Sequence, residues 1–255
     1  MATVEKNYWL DTACAQAFWD QQLALPYQEL LRDTARWLDV RPGARWLDLG
    51  CGCGQLTALL WHQSGGQVGE IVAMDCNAAN AAAIEKLKRR LLRGASPDRI
   101  RFAVGNFSDG LPQLADQDFD GIVSGLAISY AESRDPATGS YTDAAYDHLL
   151  AELCRVLKPQ GRLVFSVNVP RVRFWPIFWK SLRQAHRISK PAKALVNALR
   201  MQRYGRWLQR EAERGRFHYF PIAEIEQRLR WVGFASIQWR LSYARQAYVI
   251  AALKR

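Results

Sequence analysis

Trp46-Leu47-Asp48-Leu49-Gly50-Cys51-Gly52-Cys53-Gly54 decides the reading of this chain. An apolar strand carrying one acid, Asp48, runs directly into three alternating glycines. Glycine takes positive φ without strain, and it lets main-chain N–H groups approach a ligand that any Cβ would hold off. The stretch therefore reads as a buried strand, a tight loop and a helix start, with the loop facing a nucleoside cofactor. Spacing narrows the choice. A dinucleotide fingerprint needs Gly or Ala three residues after Gly52, where Gln55 stands, and the chain has no G-x-x-x-x-G-K-[ST] phosphate loop.

Working outward, Leu56 to Gln63 continues as a helix, and Glu70 to Asp75 is a second short apolar strand ending in an acid. An acid at the end of the second strand of a doubly wound sheet is placed to accept hydrogen bonds from ribose hydroxyls. Asp75 equally suits the cap of the helix that begins near Asn77. An alanine-rich helix from Ala78 to about Leu92 leads to a strand over Ile100–Val104, closed by Gly105-Asn106-Phe107. Asp118 to Ser124 reads as a fourth strand, and Leu153 to Leu163 as the helix, turn and entry of a fifth that runs to Val169. Pro221 to Val232 is a last helix, followed by strands over Ser236–Arg240 and Ala247–Leu253. Upstream, Cys14 to Asp39 reads as two helices broken at Pro26. Ser133 to Thr142 reads as a polar loop.

The pattern D-x-G-x-G-x-G, with these elements in this order, resembles the class I S-adenosylmethionine-dependent methyltransferases, in particular the methyltransferase type 11 group that includes quinone-biosynthesis C-methyltransferases. The resemblance covers about residues 40–169 and 217–253. It implies a doubly wound, mostly parallel seven-stranded sheet with S-adenosyl-L-methionine as cofactor. The implied cofactor residues are Asp48, Gly50, Cys51, Gly52, Gly54, Asp75, Asn106 and Phe107. Asp48 would bond the loop backbone, the methionine ammonium through water, or both. Asn106 stands where the family usually has Asp facing adenine. It keeps the capacity to bond there, or serves as an ordinary turn residue, and Phe107 either stacks on adenine or belongs to the core. Gln160 departs from the usual Lys-Pro-Gly-Gly turn.

Composition bounds the rest. At 255 residues and 49% hydrophobic content, the chain has enough apolar material for one substantial core. The organisation expected is a single domain: N-terminal helices over 1–39, a cofactor-binding core over 40–169, a basic aromatic lid over 170–216, and a closing helix and hairpin over 217–255. No apolar run approaches 18 residues, and the first residues lack a secretory pattern. A cytoplasmic protein is expected, peripheral on the inner membrane face. Five cysteines without a C-x-x-C pair point to reduced thiols and no metal.

Charge is concentrated. Residues 171–216 hold 13 Lys and Arg against Glu211 and Glu213, which equals the whole chain's net charge of +11. Within them Phe174-Trp175-Pro176-Ile177-Phe178-Trp179 is followed by Lys180, Arg183, Arg187, Lys190 and Lys193. Aromatics with Lys and Arg suit an anionic membrane surface and a lipid-like acceptor. The same charge would serve RNA through phosphate neutralisation, or leave a solvated lid. A nucleic-acid methyltransferase is the alternative function, although Ser124-Gly125-Leu126-Ala127 departs from the [DN]-P-P-[FYW] motif of base-amine enzymes. A non-catalytic cofactor-binding scaffold is the second alternative.

A phenolic acceptor ionises near pH 10, so it would need a base. His148, His218 and Tyr130 are the candidate catalytic residues, with His186 and Glu132 behind them. Tyr130 and Tyr219 are candidate acceptor-pocket residues, and Tyr8 and Trp9 are candidate roof residues or core aromatics.

Overall fold

The computed structural model describes Trp9 and residues 24–92, 99–173, 176–177 and 205–255. Chain order runs α1 (Leu25–Ala35), β1 (Arg45–Leu49), α2 (Gln55–Gln63), β2 (Glu70–Asp75), α3 (Asn80–Leu91), β3 (Ile100–Val104) and β4 (Phe119–Gly125). A small hairpin of β5 (Ser133–Arg134) and β6 (Tyr141–Thr142) follows. The chain then continues through α4 (Ala144–Val156), β7 (Leu157–Asn168), α5 (Ile222–Trp231), β8 (Phe234–Ser242) and β9 (Ala247–Lys254).

Seven strands form one sheet in the order β3-β2-β1-β4-β7-β9-β8, parallel apart from β9, which runs against both of its neighbours. This is the doubly wound, mostly parallel seven-stranded sheet expected from the sequence. The central strands carry apolar residues on both faces because helices cover both. Leu47 and Leu49 pack with Leu149, Leu150 and Leu153 of α4 and with Ile225 and Leu229 of α5. Trp46, Ile71, Ala73 and Val123 face the other way, onto Leu56 and Leu60 of α2 and Ile84 of α3. Tyr27 and Leu30 of α1 lie over Val164, Val249 and Ala251.

A helix begins where the sequence predicts a break at Pro26, which lies in the first turn of α1, where its missing N–H costs nothing, and two other expectations are corrected in detail. The residues before it that were expected to form a first helix, Cys14 onward, fall outside the described residues. The stretch Ser133–Thr142 is a hairpin, in which the Asp135 carboxylate accepts the N–H groups of Ala137 and Thr138 and so turns the chain. The fifth long strand begins at Leu157, because Leu157 already pairs with Phe119 while Lys158–Gly161 loops out at a register shift.

Phe174, Trp175, Phe178 and Trp179 lie outside the described residues, as does most of 171–216. Its end is a helical stretch over 205–213 leading to Arg216. Arg216 is 4% exposed and sits between Glu132, to which it is hydrogen-bonded, and Glu211 at 3.3 Å. One of the 13 basic residues is therefore an internal ion pair rather than part of a solvated face. Among the described residues no helix is long and apolar enough to cross a membrane.

Gly121 pairs with Trp46 across β4 and β1, and a Cβ there would stand 2.4 Å from the indole. Gly121→Ala should overpack this site and lower the free energy of unfolding by about 1–3 kcal/mol, read as a fall in the urea midpoint with unchanged slope.

Candidate cofactor and acceptor site

The strand order reverses between β1 and β4, and in open α/β sheets ligands bind beyond the strand carboxyl ends at such a point. There β1 runs into the glycine loop. The N–H groups of Gly50 and Cys51 both donate to the Met74 carbonyl, at 2.8 and 3.0 Å, and the Gly52 N–H donates to Asp75 Oδ2 at 2.9 Å. Gly54 closes the turn through its N–H on the Cys51 carbonyl and starts α2 in the left-handed region, at φ 84°.

The three glycines are required for two different reasons. A Cβ on Gly50 would stand 2.4 Å from the Ala127 Cβ, and one on Gly54 would stand 2.6 Å from a Leu87 methyl. At Gly52, φ is 52° and nothing among the described residues lies within 4 Å of the Cβ position. Gly50 and Gly54 thus let the loop pack, whereas Gly52 leaves a clear approach to the backbone for a ligand.

Asp48 is 1% exposed and points from β1 toward α2, where Thr57 Oγ1 donates to its Oδ2 at 2.6 Å. Among the described residues its Oδ1 has no hydrogen-bond partner. Burial raises its pKa to about 7, against the opposing Thr57 bonds and with a smaller push from Asp75. A buried carboxylate with one free oxygen is a poor fit to an empty protein interior and a good fit to a cationic ligand.

Asp75 accepts the Gly52 N–H on one oxygen and the Asn77 N–H, at 2.9 Å, on the other. Asn77 in turn accepts from the Ala79 N–H, so the side-chain bond into the turn before α3 comes from Asn77 rather than from Asp75. Each Asp75 oxygen keeps lone-pair capacity for a ribose hydroxyl. Phe107 reaches the loop, with its ring edge 3.8 Å from the Cβ position of Gly50. Asn106 is exposed and uses both polar atoms in the adjoining turn, on Asp109 and the Ser108 N–H. Burial pushes the Cys51 thiol up, and the Cys76 thiol to about 12. Among the described residues no cluster suited to a metal ion occurs.

Over the loop lies a group of aromatic rings. Trp9 packs on Tyr130 with centroids 4.5 Å apart, Tyr130 meets Phe217 at 4.9 Å, and the Tyr219 hydroxyl donates to that of Tyr130 at 3.3 Å. Of the two histidine candidates within the described residues, His218 is buried and His148 is exposed. His218 is 3% exposed, with Nε2 2.8 Å from the Ala131 carbonyl and Nδ1 3.4 Å from Asp143, and burial lowers its pKa against the pull of Asp143. His148 on α4 packs against Gly110, where a Cβ would stand 2.6 Å from its Nε2. His186 and Tyr8 fall outside the described residues, and Glu132 is bound to Arg216.

Three residues at this edge escaped the sequence reading. Thr57 was one polar position on an apolar helix face. Tyr27 looked like a core residue of α1, yet its hydroxyl lies 4.0 Å from the Cβ position of Gly125, and burial, then the neighbouring Cys53 and Asp48, raise its pKa. Asn168 ends β7, and its side chain lies close enough to Tyr130 and Tyr219 to oppose the burial that raises both phenols. Nothing local in the sequence marks a strand-end asparagine as part of a site.

This geometry is that of a nucleoside-cofactor loop at a strand-order switch, beside a group of packed aromatic rings. Residues 41–213 match the family model of the methyltransferase domain, and the chain belongs to that family, whose cofactor is S-adenosyl-L-methionine. It is 35% identical over 164 residues to a ubiquinone/menaquinone biosynthesis C-methyltransferase of Legionella pneumophila, covering 62% of this chain and 58% of that protein. It is 30% identical over 217 residues to a malonyl-[acyl-carrier protein] O-methyltransferase of Methylococcus capsulatus, covering 84% of this chain and 60% of that one. The matches thus span about three-fifths of either relative. In fold it resembles a S-adenosylmethionine-dependent methyltransferase from Aquifex aeolicus, with a TM-score of 0.56 at 16% identity over 92% of this chain and 93% of that one.

Two outcomes test the loop. Gly52→Val should abolish calorimetric binding of S-adenosylmethionine, by filling the open approach, while the variant still unfolds cooperatively. For Asp48 the sign is set by its raised pKa: the folded protein holds a proton that the unfolded chain has released. Stability of the cofactor-free protein should therefore fall as the pH rises from about 4 through 7. Asp48→Asn should flatten that part of the profile of urea midpoint against pH.

Proposed function

We propose that this chain transfers a methyl group from S-adenosylmethionine to a small, apolar acceptor of the quinone or lipid type. It would act as one methyltransferase domain over 1–255, with 170–216 as lid. The observation that carries the reading is the pairing of a partnerless Asp48 oxygen with the open face of Gly52 at the strand-order switch. When bound, S-adenosylmethionine supplies a methyl group already activated by its sulfonium, so the protein's task is alignment and exclusion of water.

In this reading Asp75 accepts the ribose hydroxyls and Asp48 faces the ammonium charge of the methionine end. The backbone of Gly50, Cys51, Gly52 and Gly54 shapes the cradle, and Asn106 and Phe107 flank the adenine. Trp9, Tyr130 and Tyr219 close the acceptor side against water. Of the candidate catalytic residues, Tyr130 would be the one to touch an acceptor. His218 acts on packing, since its ring is held by Ala131 and Asp143, while His148 is exposed on α4. The quinone-type acceptor is supported by the name of the Legionella relative and by an acceptor side built from rings. Arg171, Arg173, Arg206 and Arg210 are exposed, which supports contact of the lid with an anionic membrane surface on the cytoplasmic side.

The test is a calorimetric titration with S-adenosylmethionine and NAD, followed by labelled methyl transfer to a quinol-containing lipid extract and to total RNA. Cofactor binding and label in the quinol fraction are expected. Preference for NAD would overturn the reading, and label in RNA alone would transfer it to the nucleic-acid class.

A further inference from the structure

Tyr130, Tyr219 and Asn168 come from three separate places in the chain, and their polar ends meet. Tyr130 ends the short helical turn after β4, Asn168 is the last residue of β7, and Tyr219 precedes α5. β4 and β7 are adjacent, with Gly125 paired to Ser166, so Tyr130 and Asn168 project from neighbouring strand ends. At the other end of the ring group, the Trp9 carbonyl accepts from Asn77 Nδ2 at 2.9 Å, two residues past Asp75. The group therefore bridges from the end of β2 to the end of β7, across the mouth of the glycine loop.

We propose that Tyr130, Tyr219 and Asn168 form an oxygen-binding corner that selects the acceptor by a neutral hydroxyl or carbonyl on a planar ring, the ring lying against the Trp9–Tyr130 pair. This rests on the methyl-transfer reading and names the acceptor chemistry of the same site. Two phenols and one amide carry four protons to donate and six lone pairs. The bond from Tyr219 to Tyr130 uses one of each. The Asn168 amide lies beside both phenols, and the donor and acceptor positions left over match a ring hydroxyl or carbonyl.

A carboxylate finds no such match. Burial holds Tyr130 well above the ordinary phenol range and Tyr219 at about 12, so the corner stays neutral at physiological pH. The neighbouring cation, Arg216, is held by Glu132 and Glu211, and Arg214 lies on Glu211 in turn at 3.1 Å. A carboxylate entering here would lose its water and meet no uncommitted cation among these groups.

The experiment is equilibrium dialysis of the full chain, saturated with S-adenosylhomocysteine, against 1-naphthol, naphthalene and 1-naphthoate. Wild type should bind 1-naphthol at least about tenfold more tightly than either of the others. Removing one neutral hydrogen bond changes affinity by about three- to tenfold. Tyr130→Phe and Asn168→Leu should each shrink the naphthol-to-naphthalene ratio by that factor and leave S-adenosylhomocysteine affinity unchanged. Should Asn168→Leu fail to fold, the isosteric Tyr219→Phe reads the same ratio. Naphthoate binding as tightly as naphthol, or a ratio that survives the substitutions, overturns the proposal. Loss of S-adenosylhomocysteine binding in wild type, with the naphthol preference intact, strikes the methyl-transfer reading and not the corner.

Discussion

The pairing of β1 with β2 does not end at the last strand residue. It continues into the loop, where the Met74 carbonyl accepts two N–H groups and the Asp75 carboxylate accepts a third from Gly52. Backbone and side chain of one strand end thereby fix the conformation of the next element. Gly50 is held against Ala127, Gly54 is set to begin α2 under Leu87 and Ile84, and the free side of Gly52 is presented outward. Asp48 depends on the same arrangement, because α2 must start at Gln55 for Thr57 to reach it.

This dual use changes the meaning of Asp75. An acid at the second strand end is commonly read as a ligand group alone. Here each of its oxygens already holds a main-chain N–H, so the carboxylate is a structural tie first. Its ligand capacity is what remains after the loop has been served. Asp48 is the reverse case: one oxygen is tied to Thr57, and the other is left unmatched in a buried place. Such an arrangement lowers the stability of the ligand-free protein, and binding of a cation recovers it.

The sheet was legible in the sequence because its strands are short apolar runs ending in acids or glycines, and Glu70–Asp75 and Ile100–Val104 were read to the residue. Positions whose role depends on local chemistry were readable too, among them the glycine loop and the helix start at Pro26. What the sequence hid depends on long-range meeting. Asn168 meets Tyr130 only because β4 and β7 pair. Arg216 looked like one more charge in a basic run, and Glu132 like a candidate base. Their ion pair follows from the approach of the 205–216 stretch to the turn after β4, which no periodicity encodes.

Glu132, the anchor of that stretch, stands two residues beyond Tyr130, and Arg216 stands one residue before Phe217, whose ring touches Tyr130. The Glu132–Arg216 ion pair and the Tyr130–Phe217 ring contact thus lie one or two residues apart on the same two pieces of backbone. A substitution that breaks the buried ion pair therefore also loosens the ring contact beside it, and the charge held here fixes the orientation of the phenol.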